Sequence, residues 1–356
     1  MMPVLANAVP DSSHVEMLVA TTRAPDASPA IMFSGKRGEG VAFADIEVSL
    51  PPDRGRKIGE VQWPQAVPGN PATDFVTRKT EIIDRTTALA WVDHQASGSA
   101  KRQVLVFVHG FNNKFEDSVY RFAQIVHDSG SGAVPVLFTW PSKGDVLAYG
   151  YDRESTNYSR TQLESLLRSL AGDPQVGEIS ILAHSMGNWL ALESLRQMAI
   201  RDGRVNGKIR NVLLASPDVD VDVARTQIAD MGPNRPQFSL FVSRDDKALG
   251  LAKDLWGGST RLGAIDPSVE PYHSQLAAER ITVFDLTTVK TADTVGGALG
   301  HTKFATSPQI VQLIGTRLAS GQAITDSRED LGDQFQGATG AVSNFGSGLL
   351  GRLGGG

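Results

Sequence analysis

The chain has 356 residues, of which 41% are hydrophobic and 21% charged, so it can bury a large core without disulfide or metal support. It contains no cysteine, which excludes a disulfide framework, thiol catalysis and a zinc-thiolate site. The formal net charge is −5, and no block of five or six like charges occurs. Because nucleic-acid-binding proteins carry a basic stripe, we expect no nucleic-acid partner.

The first residues, MMPVLANAVPDSSH, have no basic n-region and too few apolar residues for a signal peptide or a membrane anchor. No later stretch reaches the roughly 18 uncharged apolar residues that a membrane-spanning helix needs. As it stands, the sequence therefore predicts a cytoplasmic protein with no integral membrane segment. An export signal ahead of a misplaced start codon would instead predict a periplasmic or envelope-associated protein.

Two short runs rich in β-forming residues, 14–22 and 40–50, begin the predicted fold. Each run alternates partly in polarity, and the Gly/Lys/Arg-rich segment SGKRGEG between them is typical of a turn. The pattern predicts antiparallel strands, which residues 1–100 contribute to the edge of a sheet.

From residue 103 the pattern changes to unbroken apolar runs, which suit strands buried on both faces of a parallel sheet. These runs are QVLVFVHG, VPVLFTW, EISILAHS, RNVLLAS, QFSLFVS and RITVFDL. Segments of helical period alternate with them, at residues 116–127, 159–170, 186–200, 219–231, 247–255 and 308–318. The alternation predicts a doubly wound, mostly parallel α/β sheet over residues 101–320, with ligands bound outside the carboxyl ends of the strands.

The C-terminal segment 321–356 contains ten glycines, a composition that cannot offset its ordering entropy by burial. We therefore expect a disordered tail behind one large domain. Between the strand ending near Ser216 and the strand beginning near Gln237 there are about twenty residues, enough for one helix but for no large cap domain.

The segment ISILAHSMGNWLALESL combines a buried strand, a short turn and an amphipathic helix. A serine held in such a turn takes strained backbone angles, and the residues two before and two after it must be small. Ala183 and Gly187 meet this requirement around Ser185. A serine that only caps a helix would give the same five-residue pattern, but the flanking strand and helix favour a nucleophile at a helix N-terminus.

A nucleophilic serine needs a general base, nearly always histidine, and in this topology the acid and the histidine follow the serine. Only His273 and His301 come after Ser185. His301 follows the last predicted strand, on a loop where strand carboxyl ends open, so we predict it to be the base and His273 a bystander. His109 and His184 precede the nucleophile and are interpreted as structural supports of the site.

The acid that orients the histidine should follow another strand. The candidates are Asp218 and Asp220 after RNVLLASP, and Asp245 and Asp246 after QFSLFVSR. The later loop is the usual place, which leaves Asp245 and Asp246, and either of these would also suit the N-cap of the next helix. Spacing does not choose between the two neighbours.

An oxyanion hole requires backbone amides that point to where the charge of the tetrahedral intermediate develops. One predicted donor is the amide of Met186, directly after the nucleophile. The other is expected in the loop after QVLVFV, which reads HGFNN at residues 109–113. Gly110 allows an unusual turn there, which leaves the amide of Phe111 free to face the pocket.

Taken together, these motifs resemble those of a known family. VFVHGFNN, FTWPS, LAHSMGN, VSRDDKAL and GHTKF, with VATTRAP and ADIEVSLP nearer the start, are similar to the bacterial α/β-hydrolase family catalogued as DUF900 and described as esterase/lipase-like. The likeness covers roughly residues 15–320. The acidic motif of that family resembles S-x-[ND]-D-x-A-L, which implies Asp246 rather than Asp245 as the acid. The resemblance implies an α/β-hydrolase fold and an acyl-ester hydrolase.

We therefore expect a serine hydrolase that cleaves small-molecule carboxylic esters with short or medium acyl chains. No HExxH-like metal set, P-loop or dinucleotide fingerprint occurs in the sequence, so no cofactor is expected. Two alternatives stay open. One is an acyltransferase or peptidase that uses the same acyl-enzyme, and the other is a non-catalytic, envelope-associated binding module.

Overall fold

The computed structural model describes residues 9–98, 101–256, 259–289, 300–320 and 342–343. The strands, in chain order, are β1 (Ser13–Pro25), β2 (Phe33–Leu50), β3 (Val76–Ile83), β4 (Gln103–Val108), β5 (Val134–Thr139), β6 (Glu178–His184), β7 (Ile209–Ala215), β8 (Gln237–Val242), β9 (Thr282–Asp285) and β10 (Val342–Ser343). The helices are α1 (Arg85–Ser97), α2 (Phe115–Ser129), α3 (Tyr149–Gly172), α4 (Gly187–Asp202), α5 (Val221–Asp230), α6 (Lys247–Trp256), α7 (Tyr272–Ala278), α8 (Lys303–Thr306) and α9 (Pro308–Ser320).

All the described strands belong to one sheet, in the order β10-β9-β8-β7-β6-β4-β5-β1-β2-β3. Strands β4 to β9 pair in parallel, as their unbroken apolar runs predict. β1 is parallel to β5 and antiparallel to β2, which is in turn antiparallel to β3. The sheet is therefore mostly parallel with an antiparallel N-terminal end, as predicted.

The first strand is not an edge strand, because β1 lies between β2 and β5 and only β3 is outermost at that end. The segment MLVA in β1 is fully buried, which is the pattern of an interior strand rather than an edge strand. The predicted turn SGKRGEG is also wrong, since these residues lie inside β2 and the chain reverses at residues 26–32. Register shifts on both sides of Arg23 accommodate the glycine-rich stretch, and Gly38 packs so closely that a Cβ atom would lie 2.8 Å from the Arg23 carbonyl oxygen.

The helices cover both faces of the sheet, so the domain is doubly wound. Buried residues of α2, α8 and α9 pack on one face, and those of α1, α3, α4, α5 and α7 pack on the other. The six predicted helices are all present, but α3 begins at Tyr149, well before the predicted residue 159, and α1, α7 and α8 were not predicted.

Between β7 and β8 the chain forms only α5, a ten-residue helix, so no large cap domain is inserted there. The glycine-rich segment 321–356, predicted to be disordered, lies outside the described residues except for Val342 and Ser343, which pair with β9. Within the described part of the chain, no helix is both long and apolar enough to cross a membrane.

Candidate active site

Ser185 lies in the sharp turn between β6 and α4, with a positive φ of 52°. Such a backbone conformation is strained for a residue with a side chain. Gly187 meets the backbone of the neighbouring strand end, since a Cβ atom there would lie 2.3 Å from the carbonyl oxygen of His109. The structure thus shows the strained turn and gives the physical reason for a glycine two residues after the serine.

The loop that follows β4 packs directly on this turn. A Cβ atom on Gly110 would lie 2.8 Å from the Cβ atom of Ser185, so only glycine allows the two loops to approach this closely. Within the described residues, neither the amide of Phe111 nor the amide of Met186 donates a hydrogen bond. Two backbone donors beside the serine are therefore available for an anion.

His301 pairs with Asp246 through a contact of 2.8 Å between Nδ1 and Oδ2. The other carboxylate oxygen of Asp246 accepts from the amides of Ala248 and Leu249, so the same residue caps α6 and is fixed in place. Burial alone would lower the pKa of the His301 imidazole, but the Asp246 carboxylate outweighs it and raises that pKa above 6.5. A hydrogen bond from Nδ1 to the carboxylate leaves Nε2 as the free base.

The loop of His301 lies against the serine turn. The ring of His184, the residue before Ser185, lies 4.8 Å from the ring of His301, and its Nε2 donates to the His301 carbonyl oxygen at 3.1 Å. In the described part of the chain, no hydrogen bond joins the Ser185 hydroxyl to the His301 ring. Such bonds are often long in free enzymes and tighten when substrate binds.

The family model described as "Alpha/beta hydrolase of unknown function (DUF900)" matches residues 84–317, which is most of the chain. The chain belongs to this family. The matched region of the DUF900 family contains the serine turn, the loop after β4 and the loops of Asp246 and His301. The first three strands lie ahead of it.

Three further proteins are similar to this DUF900 chain. An uncharacterized protein of Nostoc sp. strain PCC 7120 is 27% identical over a region that covers 32% of this chain and only 37% of the relative. A proposed cell surface hydrolase of Lactobacillus plantarum WCFS1 has 12% identity and a TM-score of 0.40, covering 66% of this chain and 97% of that one. A Rhizomucor miehei esterase has 13% identity and a TM-score of 0.37, covering 88% of this chain and 85% of that one.

His109 and His184, predicted to be structural supports, each bind a backbone carbonyl in this DUF900 protein, that of Gly110 and that of His301 respectively. The amide of Trp140 donates to Nε2 of His109, so Nδ1 carries the proton and donates to the carbonyl of Gly110 at 2.8 Å. The rings of His109 and Trp140 also stack, with centres 4.8 Å apart. Burial, reinforced by the positive charge of Arg23, lowers the pKa of His109 to about 3, and burial likewise lowers that of His184.

The remaining sequence candidates lie in other contacts. Asp245 binds Lys303 Nζ at 2.8 Å, and Asp220 caps α5. His273 is half-exposed on α7, where it forms an ion pair with Glu270. Within the described residues, no three His, Asp or Glu side chains converge where a metal ion could be held.

Sequence reasoning considered Asp218 only as a possible acid and missed its contacts. The Tyr149 hydroxyl donates to one of its carboxylate oxygens at 2.9 Å, and Arg261 Nε lies 3.3 Å from the other. Burial and this carboxylate raise the pKa of Tyr149. The tyrosine ring in turn packs edge-on against Phe111, at 5.3 Å between centres. The buried Asp218–Arg261 pair therefore holds the tyrosine that packs against the loop after β4.

Proposed function

We propose that this protein is a serine hydrolase that cleaves carboxylic esters through an acyl-enzyme. Ser185 is the nucleophile, His301 the general base and Asp246 the residue that fixes the imidazole tautomer. The amides of Phe111 and Met186 form the oxyanion hole. The observation that carries the proposal is the His301–Asp246 pair lying against a strained serine turn, beside two amides that have no acceptor in the described part of the chain.

In this mechanism the Ser185 oxygen attacks the ester carbonyl carbon while His301 takes the hydroxyl proton at Nε2. The carbonyl oxygen becomes an oxyanion and accepts hydrogen bonds from the two free amides. Collapse of the intermediate expels the alcohol, which leaves with the proton from His301. Water then attacks the acyl-enzyme by the same steps, releasing the acid and restoring Ser185.

We propose short or medium acyl chains because the segment between β7 and β8 supplies a single short helix to cover the site. With so little protein inserted there, a long chain would keep much of its apolar surface in water. A p-nitrophenyl ester series tests both parts of the proposal. The expected result is turnover that peaks at short or medium chains and is absent in Ser185→Ala. A peak at long chains would contradict the chain-length proposal alone, whereas equal turnover by Ser185→Ala would contradict the mechanism.

A further inference from the structure

Arg23 is a buried arginine at the end of β1 whose guanidinium reaches three parts of the chain. Its side chain donates to the hydroxyl of Thr139 at 2.9 Å, to the carbonyl of Ser142 at 2.9 Å and to the carbonyl of Asn113 at 2.8 Å. Only 2% of the residue is exposed. One charged group thus joins β1, the end of β5 and the loop after β4.

Asp152, at the start of α3, lies on the other side of the same loops and is fully buried. Its carboxylate accepts from the Ser142 hydroxyl at 2.5 Å, from the Lys143 amide at 2.9 Å and from the Asn112 amide at 3.3 Å. Ser142 stands between the two charges, because its carbonyl accepts from Arg23 and its hydroxyl donates to Asp152. The opposite charges are therefore connected through loop backbone rather than by direct contact.

These bonds fix the backbone directly after Phe111. The Asn112 amide is held by Asp152, the Asn113 amide by the Ser142 hydroxyl at 3.0 Å and the Asn113 carbonyl by Arg23. Asn112 has a positive φ of 57°, a strained conformation that persists only where the surroundings determine it. Each of these polar groups is hydrogen-bonded to Asp152, Ser142 or Arg23, whereas the Phe111 amide donates to no acceptor among the residues that the structure describes.

We propose that Arg23 and Asp152 are positioning residues that hold the Phe111 amide in the oxyanion hole. This inference rests on the proposed function. A buried pair of charges is weak as a source of stability, since well-packed apolar residues often do as well, but charges that each bind loop backbone specify a geometry. Arg23 lies outside the family-matched residues 84–317, so the N-terminal strand supplies a part of the site that the matched region does not contain.

The test compares Arg23→Lys and Asp152→Asn with Arg56→Lys. The Arg56 side chain is also buried, with 3% of it exposed, and its guanidinium lies 2.9 Å from the carboxylate of Asp128. Neither residue belongs to the loop after β4. We expect the first two variants to lose roughly 10- to 100-fold in kcat, with KM changed less than about threefold, because a displaced oxyanion donor acts in the transition state. Affinity for a boronic acid, which forms a tetrahedral adduct on the serine, is expected to fall in parallel. Arg56→Lys is expected to keep both values.

Wild-type labelling by a fluorophosphonate separates this inference from the proposed function. If the wild type is not labelled, the proposed function fails and the inference fails with it. If it is labelled, and the Arg23 and Asp152 variants keep kcat and boronic acid affinity within about twofold, only the inference is overturned. Ser142→Ala, which removes one hydroxyl and keeps both charges, gives the same test if either charge variant does not fold.

Discussion

Lys303 binds both carboxylate oxygens of Asp245, at 2.8 and 2.9 Å, while the adjacent Asp246 binds His301. Asp245 and Asp246, which are adjacent in the loop after β8, therefore bind two residues that lie close together in the chain after β9. The Lys303 ammonium also donates to the carbonyls of Leu286 and Thr287, so it anchors the histidine loop to the end of the last parallel strand. Asp246 is left to face the imidazole.

The two aspartates are predicted to differ sharply in their effect on catalysis. Asp246→Asn leaves the loop intact but removes the acceptor that fixes the His301 tautomer, so we expect kcat to fall by roughly 10⁴-fold. Asp245→Asn weakens a half-exposed ion pair worth about 1 kcal/mol or less, so kcat is expected to fall by less than about fivefold. Steady-state kinetics of the two variants measures the difference, and equal losses would contradict the assignment of the acid.

Gly187→Ala is predicted to disrupt the serine turn, because the new methyl group would lie within 2.7 Å of the carbonyl oxygens of both Val108 and His109. Backbone atoms cannot give way cheaply, so we expect a loss of about 1–3 kcal/mol or more in the free energy of unfolding and a loss of activity. Gly150→Ala is the matched control, since open space surrounds that position in α3. A Gly187→Ala protein as stable and active as the control would refute this steric account.

The pH dependence of activity follows from the raised pKa of His301. The base must be neutral to accept a proton, so kcat/KM is expected to fall as the pH drops through a value above 6.5. Because Asp246 is what raises the pKa, Asp246→Asn is expected to shift the titration of the His301 ring to lower pH. NMR of the ring measures both proteins, and an unchanged titration in the variant would argue against the pair.

Acid stability provides a test that does not depend on catalysis. His109 has a folded pKa of about 3 against 6.5 for the free side chain, so the stability that its neutral form contributes is complete above pH 6.5 and is lost as the pH falls towards 3. In the wild type, His109 binds one proton when the protein unfolds in this pH range, and His109→Asn removes that proton uptake. The free energy of unfolding is measured with urea at several pH values. Between pH 6 and 4, its change per pH unit is expected to be about 1.4 kcal/mol smaller in the variant than in the wild type. Identical slopes would show that His109 is not held neutral.

The features that the sequence predicted depend on local patterns. The six parallel strands were found because each is an unbroken apolar run, and the serine turn because Ala183 and Gly187 flank Ser185 between a strand and a helix. The start of α3 was missed because residues 149–158 carry polar side chains that are buried by loop contacts rather than by an apolar stripe. Asp152 is one of these.

The features that the sequence did not predict depend on contacts between residues that lie far apart in the chain. Arg23 is bonded to groups about 90 and 119 residues away, and Lys303 to one 58 residues away, so no spacing rule identifies either partner. The choice between Asp245 and Asp246 likewise depends on which carboxylate meets His301 across the sheet edge. The available signal for Arg23 was a charged residue in the VATTRAP motif, within a strand that is otherwise apolar at its centre.

The identity of the nucleophile is tested most directly by mass spectrometry of the intact and digested protein after reaction with a fluorophosphonate. The account predicts one adduct per chain, carried by the peptide that contains Ser185, with His301→Ala labelled far more slowly and Ser185→Ala not at all. A folded wild-type protein that gains no adduct, or gains it on another residue, would contradict the account.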